Sequence, residues 1–336
     1  MREPAFWQPP STWLSRLLMP LGAIYGEIAG SRMARKGVAV GIPVVCVGNY
    51  HVGGAGKTPT TLALVALLRE LGETPVVLSR GYGGKLRGPV KVDAIKHAAA
   101  DVGDEPLMMA RQVTVVISHD RVAGAALARS TGASVIVMDD GFQNPAVMKD
   151  TSIIVIDGDR GLGNGRVLPA GPLRAPLDLQ MARTDALVIV GDGAAAAGVA
   201  TMLAANSVPV LTARLLPDEA SVAALRGLRV LAFAGIGDPG RFFRTLRSAG
   251  IDVAIEKAFP DHHAYTSGDI DALAARAQRE GLTLVTTEKD LVKLRGMPAA
   301  TAIVPFAVTL AFEDRAALRA FVTERLNLAR AMTFRM

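Results

Sequence analysis

The segment His51-Val52-Gly53-Gly54-Ala55-Gly56-Lys57-Thr58 decides the fold of this 336-residue chain. Just before it, Ile42 to Val47 is an apolar, β-branched run with Pro43 near its start and Gly48 past its end, the pattern of a buried strand. Just after it, Thr60 to Leu71 carries apolar residues at helical spacing. Strand, glycine-rich turn and helix in this order form a phosphate-cradling loop. Backbone N–H groups at the turn and helix N-terminus point at phosphate oxygens, the helix dipole adds to them, and glycines admit close backbone approach. Lys57 is expected to reach the β- and γ-phosphates and Thr58 to place its hydroxyl on Mg²⁺. The expected nucleotide contacts are His51, Val52, Gly53, Gly54, Ala55, Gly56, Lys57 and Thr58. His51 stands where the usual motif opens with Gly, so Gly53 and Gly54 supply the flexibility.

Outward from this loop, Pro75 to Ser79, Val113 to Ser118, Ser134 to Met138, Ile153 to Asp157 and Ala186 to Val190 read as further short strands. Helical patterns such as Val122 to Ser130 separate most of them. The alternation predicts an α/β fold: a P-loop NTPase-type, mainly parallel sheet with helices on both faces. Gly191 to Val199 reads as a loop or a weakly specified helix. Leu216 to Gly227, punctuated by Pro217, is the expected hinge. A new pattern then begins: a strand at Arg229 to Ala234, a turn with Gly235, Gly237 and Gly240, and a helix at Phe242 to Ser248. A strand at Leu282 to Thr286 and a helix at Ala316 to Ala329 follow. The expected organisation is an N-terminal helix in 1–35, a P-loop domain in 36–220 and a smaller α/β domain in 225–336.

Half the residues are hydrophobic, enough to build a core, and a formal charge of +6 fits an anionic partner without choosing one. No nucleic-acid motif is present, and no obligate protein partner is evident. The single cysteine, Cys46, excludes an intrachain disulfide and a four-cysteine metal site.

Leu17 to Gly26 is an uncharged run, too short to span a bilayer, which takes about 20 apolar residues. Trp7, Trp13, Leu14, Leu17, Leu18, Leu21 and Tyr25 suggest an apolar helical face, and Arg32, Arg35 and Lys36 follow it. Both tryptophans of the chain lie here. Aromatic rings beside a basic cluster suit an interfacial helix on an anionic membrane surface; an ordinary helix packed on the domain is the competing reading.

Val135-Ile136-Val137-Met138-Asp139-Asp140 ends an apolar strand in two carboxylates, where a metal-facing Asp belongs beside a phosphate loop. Asp139 and Asp140 are both candidates for Mg²⁺. Thr287-Glu288-Lys289-Asp290 sets its Lys one position too late for guanine recognition, which counts against GTP. A kinase also needs a group to position the acceptor hydroxyl. Asp101, Asp104 and Glu105 are candidates, with a partner from the adjacent His262 and His263. Arg80 and Arg174 are candidate anion contacts, since a guanidinium binds phosphate bidentately.

Together these residues carry a family likeness. Val47-Gly48-Asn49 runs into Val52-Gly53-Gly54-Ala55-Gly56-Lys57-Thr58-Pro59. Leu78-Ser79-Arg80-Gly81-Tyr82-Gly83, Val102-Gly103-Asp104-Glu105-Pro106, Asp139-Asp140-Gly141-Phe142-Gln143 and Leu168-Pro169-Ala170-Gly171-Pro172-Leu173-Arg174 follow in order. Ala234-Gly235-Ile236-Gly237, Phe259-Pro260-Asp261-His262-His263 and Thr286-Thr287-Glu288-Lys289-Asp290 complete the set. The chain resembles the tetraacyldisaccharide 4'-kinase family of lipid A biosynthesis along nearly its whole length. The resemblance implies transfer of the ATP γ-phosphate to the 4'-hydroxyl of a lipid-linked disaccharide 1-phosphate. It also implies a peripheral or monotopic protein on the cytoplasmic face of the bacterial inner membrane. Asp104 is implied as the base and His262 or His263 as its partner, with His262 favoured. Two positions depart from the family pattern: Asn144 where His is usual, and Ala175 where Glu is usual, which throws more of the metal shell onto Asp139 and Asp140. The competing functions are a P-loop kinase or NTPase for another substrate, and a non-catalytic, nucleotide-regulated membrane-binding protein.

Overall fold

The computed structural model describes residues 4–333; the outermost ends of the expected first and last segments, 1–3 and 334–336, lie outside it. Eight strands build most of a large sheet: β1 (Val44–Gly48), β2 (Pro75–Ser79), β3 (Val90–Lys91), β4 (Val115–Ile117), β5 (Val135–Asp139), β6 (Thr151–Asp157), β7 (Ala186–Val190) and β8 (Val210–Pro217). A smaller sheet holds β9 (Arg229–Ala234), β10 (Asp252–Ala258), β11 (Thr283–Thr287) and β12 (Val304–Phe306), and β13 (Val308–Phe312) ends the series. The large sheet runs β13-β8-β7-β6-β1-β5-β2-β4-β3 and the small one β10-β9-β11-β12. Only the outermost pairs of the large sheet, β3–β4 and β13–β8, are antiparallel. Its central strands are buried on both faces and read as unbroken apolar runs, as parallel strands covered by helices do.

Two apolar layers flank the large sheet. One joins Val45, Val47 and Val137 to Leu64 and Leu68 of the helix Lys57–Glu70, and the other joins Cys46, Ile136 and Ile154 to Ala125 of the helix Arg121–Ser130. Cys46 is fully buried, a small core residue. The phosphate loop follows β1, the carboxylates of Asp139 and Asp140 end and follow β5, and β1 and β5 are neighbours. The parallel order therefore sets both at the same carboxyl edge, where ligands bind in open α/β sheets.

The structure corrects the expected layout in two places and decides a third. The expected hinge, 216–227, is largely structured: β8 runs to Pro217 and a helix spans Glu219–Leu225. Of the two readings left open for Gly191 to Val199, loop or weakly specified helix, its end takes the second, since a helix spans Ala197–Ala205. The segment 225–336 is not one unit. β13 returns to the large sheet, pairing Val308 with Pro217 and Phe312 with Ala213, and the helix Arg315–Thr333 seats Leu318, Val322 and Leu326 in the large core. An open edge at β8 would be a template for wrong pairing, and the returning strand covers it. The chain thus crosses between the sheets twice, side by side, with Asp218 N donating to Ala307 O at 3.0 Å.

The N-terminus forms two helices, Trp13–Leu17 and Met19–Met33, broken at Leu18 ahead of Pro20. Gly22, Gly26 and Gly30 are buried, and a Cβ on them would meet Val167, Ala170, Pro176 or Leu179. The glycine stripe is the face that packs, so bulky apolar residues point outward. Trp7 differs from the expectation: it is half-buried and its Nε1 donates to Pro169 O at 3.0 Å.

Leu318 is fully packed at 2% exposure in the large core. Leu318→Ala is expected to cost about 2–5 kcal/mol in urea unfolding. Hydrogen exchange should accelerate along β8 and spare β10; the reverse would place the terminal helix with the smaller sheet.

Candidate active site

The loop after β1 turns through Gly53 and Gly56, both at positive φ, and opens the helix at Lys57. Lys57 Nζ lies 3.7 Å from Asp140 Oδ1. Arg174 grips the same carboxylate with both nitrogens, at 2.7 Å and 3.2 Å. Burial opposes ionisation of Asp140, but Lys57 and Arg174 outweigh it and hold the carboxyl down at about 2. Arg174, expected as a substrate contact, is therefore committed to a carboxylate, because the segment carrying it pairs with the phosphate loop: Arg174 N donates to Tyr50 O and Val52 N to Pro172 O.

Asp139 is buried and accepts from Thr61 Oγ1 at 3.3 Å. Burial first, then the charges of Glu105 and Asp140, push its carboxyl upward. This corner of the site is short of positive charge. Mg²⁺ takes one or two carboxylates and completes its shell with phosphate oxygens and water. The hard oxygen donors Thr58, Asp139 and Asp140 fit that requirement. Among the described residues no cluster of three acidic, His or Cys side chains forms a self-sufficient metal cage.

His51 differs from its expected role. Its ring is fully buried, with Nδ1 3.1 Å from Val52 O. Burial, then the charge of Arg160, drives the ring down to about 3, so it stays neutral and offers phosphate no charge. A backbone bridge to Leu173 makes His51 a brace for the loop.

The expected base and its partner meet across the two sheets. His262 Nδ1 lies 3.0 Å from Asp104 Oδ2. His262 sits at φ +56 in the turn after β10, and Asp104 opens the short helix Asp104–Met109. Burial would raise the Asp104 carboxyl; the His262 hydrogen bond and the charges of Lys289 and Lys293 reverse this and hold it at about 2. The other candidates are engaged elsewhere. Asp101 accepts from Ala98 N at 2.9 Å, Glu105 from Lys289 Nζ at 2.9 Å, and His263 stacks on Phe259 and faces Asp269. Arg80 is exposed at the end of β2.

Several neighbours had been given no role in the site, although Tyr82, Lys289 and Asp290 lie in the family stretches quoted above. Lys289 and Lys293 approach Asp104 Oδ2 at 3.9 Å and 4.0 Å. Buried Asp290 anchors this group, accepting from Gly235 N and Thr287 Oγ1 and pairing with Lys293 at 2.7 Å. The i,i+3 spacing of Asp290 and Lys293 was the available signal. Tyr82 sets its ring 5.5 Å from that of His262, and Arg241 pairs with Asp157 at another contact between the two sheets. Ala175 is buried, and its carbonyl accepts from Gln180 Nε2 at 2.8 Å. Asn144 caps its own turn, accepting from Ala146 N.

A phosphate loop, a carboxylate pair at the next strand end and an Asp–His pair closing from a second sheet define a P-loop phosphotransferase. Comparison with known proteins names the family. The family described as Tetraacyldisaccharide-1-P 4'-kinase (LpxK) matches residues 14–327. A Tetraacyldisaccharide 4'-kinase from Nitrobacter winogradskyi is 65% identical over 99% of this chain and 100% of its own length. One from Rhodopseudomonas palustris is 66% identical over 98% of both chains. The crystal structure of LpxK from Aquifex aeolicus in complex with ATP superposes with a TM-score of 0.72 at 28% identity, covering 93% of this chain and 99% of that one. The chain belongs to the tetraacyldisaccharide 4'-kinase family.

The Asp104 carboxyl lies at about 2 when folded against an ordinary 3.8. A depressed folded value stabilises the fold above the ordinary value, and that stabilisation is lost as pH falls through the folded one; it amounts to about 2 kcal/mol. Carboxyl NMR titration should find Asp104 ionised down to about pH 2 in wild type and protonating at higher pH in His262→Ala. An unmoved midpoint would show that His262 does not hold it.

Proposed function

We propose that the chain transfers the γ-phosphate of ATP to the 4'-hydroxyl of a tetraacyldisaccharide 1-phosphate, the kinase step of lipid A biosynthesis, with Asp104 as proton acceptor. The observation that carries this assignment of roles is the 3.0 Å contact between Asp104 and His262 at the edge of the phosphate loop's cleft. A Cβ on Gly237 of the smaller sheet's turn would lie 3.9 Å from Gly54 N, so phosphate loop and catalytic pair share one cleft.

In this reading the backbone of Val52 to Gly56 cradles the phosphates and Lys57 moves from Asp140 to the β- and γ-oxygens. Thr58, Asp139 and Asp140 would hold Mg²⁺, which when bound neutralises charge across those oxygens. Arg174 keeps Asp140 in place once Lys57 leaves it. The acceptor oxygen forms its bond to the γ-phosphorus as the bond to the bridging oxygen breaks, ADP departs, and the hydroxyl proton passes to Asp104. A carboxylate this acidic is a weak base, but a loose transition state asks mainly for orientation and a late proton acceptor. His262 orients it, and Lys289 and Lys293 keep it ionised. Domain closure brings the pair together and excludes water, which limits ATP hydrolysis. The functional division follows: the N-terminal helices through residue 35, a P-loop unit completed by the returning C-terminal strand and helix, and the smaller sheet as the moving part.

The decisive experiment is transfer of labelled γ-phosphate from Mg·ATP to the tetraacyldisaccharide 1-phosphate in mixed micelles. Removing a positioned acid–base group typically costs about 10²–10⁴-fold in rate. Asp104→Ala should lose that much with ATP binding intact, and Lys57→Ala should lose transfer as well. No transfer by a folded, ATP-binding wild type would overturn the assigned reaction.

The same reading puts the N-terminal helices on the membrane. Trp13, Leu17 and Ile24 are exposed at 75%, 66% and 61%, and Leu21 and Ile28 lie beside them. Arg32, Arg35 and Lys36 are exposed at the end. No helix among the described residues is long and apolar enough to cross a membrane, so we assign a peripheral or monotopic seat on the cytoplasmic face of the inner membrane. Leu17→Glu with Ile24→Glu should abolish sedimentation with anionic vesicles and leave ATP binding unchanged; retained sedimentation would remove these helices from the membrane contact.

A further inference from the structure

The stretch between the two crossings also meets the large sheet's side away from the catalytic pair. Residues 93–97 form a tight turn after β3. Its N–H groups are spent within it. Asp93 Oδ1 accepts from Ile95 N at 2.8 Å and Lys96 N at 3.1 Å, as Asp does in a turn that folds onto its own side chain. Asp93 O accepts from His97 N at 3.0 Å, and Asp93 N donates to His97 Nδ1 at 3.0 Å. The carbonyls of Ala94, Ile95 and His97 converge instead on one guanidinium. Arg295 Nη1 donates to Ala94 O at 2.6 Å and His97 O at 3.5 Å, and Arg295 Nη2 donates to Ile95 O. A planar fork of donors can reach several acceptors at once; a lysine ammonium is a single point of charge.

The turn is tied to the proposed proton acceptor. Ala98 N donates to Asp101 Oδ2, and Lys85 N and Leu86 N donate to Ala100 O and Asp101 O. The short helix Ala99–Val102 then passes through Gly103, at φ +92, into the helix that Asp104 opens. Turn and Asp104 therefore lie on one braced segment.

Arg295 belongs to an equally compact piece of the other side. It lies two residues past Lys293, in the run that also carries Lys289 and the buried Asp290. That run packs against both short helices, Ala99–Val102 and Asp104–Met109. It grips the Asp104 segment at two places: Lys289 and Lys293 at its end, Arg295 at its beginning. One point of contact leaves a lobe free to pivot, and a second fixes its angle. His262 comes to Asp104 from a different turn of the same small sheet, so its approach depends on that angle. Displacements of about 1 Å at a reacting group can cost about 10²-fold in rate. Arg295 itself is exposed, so removing its side chain opens no cavity.

We infer that Arg295 is a positioning residue for phosphoryl transfer: its hold on the turn 93–97 sets the angle at which His262, Lys289 and Lys293 meet Asp104. The inference rests on the kinase reading above and adds what aligns its proton acceptor. Arg295 acts through the segment that carries Asp104 and not on the reacting atoms.

The test uses the full chain as wild type, Arg295→Met and Arg295→Lys. Three quantities are measured: γ-phosphate transfer to the tetraacyldisaccharide 1-phosphate in mixed micelles, the Asp104 carboxyl titration by NMR, and the urea midpoint. Loss of a charge-assisted contact at an exposed site should lower kcat roughly three- to tenfold in Arg295→Met, with KM for ATP held. Asp104 should protonate at higher pH than in wild type, because its counter-charges sit less close. The urea midpoint should hold, and Arg295→Lys should recover part of both effects. Either kcat or the Asp104 midpoint staying at its wild-type value in Arg295→Met would overturn the inference. A fall in kcat that follows a fall in the urea midpoint, with Asp104 unmoved, would make Arg295 a structural residue only. Absence of transfer by folded wild type would sink the kinase reading instead, and the Asp104 titration would then decide the alignment by itself.

Discussion

The proposed catalytic centre depends on one buried carboxylate, Asp104, that the large sheet supplies and groups of the small sheet hold acidic. Burial pushes the Asp104 carboxyl upward, and the groups that reverse this, His262, Lys289 and Lys293, all come from the stretch between the two crossings. These three are themselves fixed from behind. Asp290 is fully buried, accepts from Gly235 N, and pairs with Lys293, so the glycine turn after β9 and the cation under Asp104 share one anchor. An open arrangement would leave Asp104 without its counter-charges and the lysines without their carboxylates. Charge therefore couples the state of the proposed base to the approach of the two sheets.

That approach is guided by how the chain is threaded. Leaving the large sheet at Asp218 and returning at Ala307, adjacent strands joined by a backbone hydrogen bond, makes a narrow double crossing. Around it the contacts are polar and separable: Arg241 with Asp157 on one side, Lys289 with Glu105 and Arg295 with the carbonyls of Ala94 and Ile95 on the other. Polar contacts exchange with water at modest net cost, which suits surfaces that part and rejoin.

What the sequence disclosed was what local chemistry encodes. Gly53, Gly56 and Lys57 announce a phosphate loop because backbone conformation and helix start are local properties, and Pro75–Ser79 and Ala186–Val190 match the strands because buried parallel strands are unbroken apolar runs. Non-local pairing stayed hidden. Nothing in Val308–Phe312 tells that it returns to β8, and Ala316 to Ala329 has the same helical period whichever sheet it covers. Side-chain use was hidden for the same reason: Arg174 looked like an anion contact until the bridge between its segment and Tyr50 set it on Asp140, and His51 looked like a loop residue until burial made it neutral. His262 and His263 could not be separated by spacing; the positive φ at His262 turns one ring to Asp104 while the other stacks on Phe259.

The segment 163–179 joins the two ends of this design. On its outer side it receives the N-terminal helices: Pro169 O and Ala170 O accept from Trp7 Nε1 and Ser15 Oγ, and Pro176 and Leu179 fill the space beside Gly26 and Gly30. On its inner side it pairs with the residues just before the phosphate loop and sends Arg174 to Asp140. Small residues on the packed face let the helix lie close, and that same choice leaves Trp13, Leu17 and Ile24 with nowhere to go but outward. An ordinary amphipathic helix would have buried those side chains in the protein core. Here the amphipathy is inverted, so the surface that suits a bilayer is one segment away from the carboxylate beside the phosphates. In the proposed reading, that single brace would stand between a lipid-linked acceptor and a soluble nucleotide.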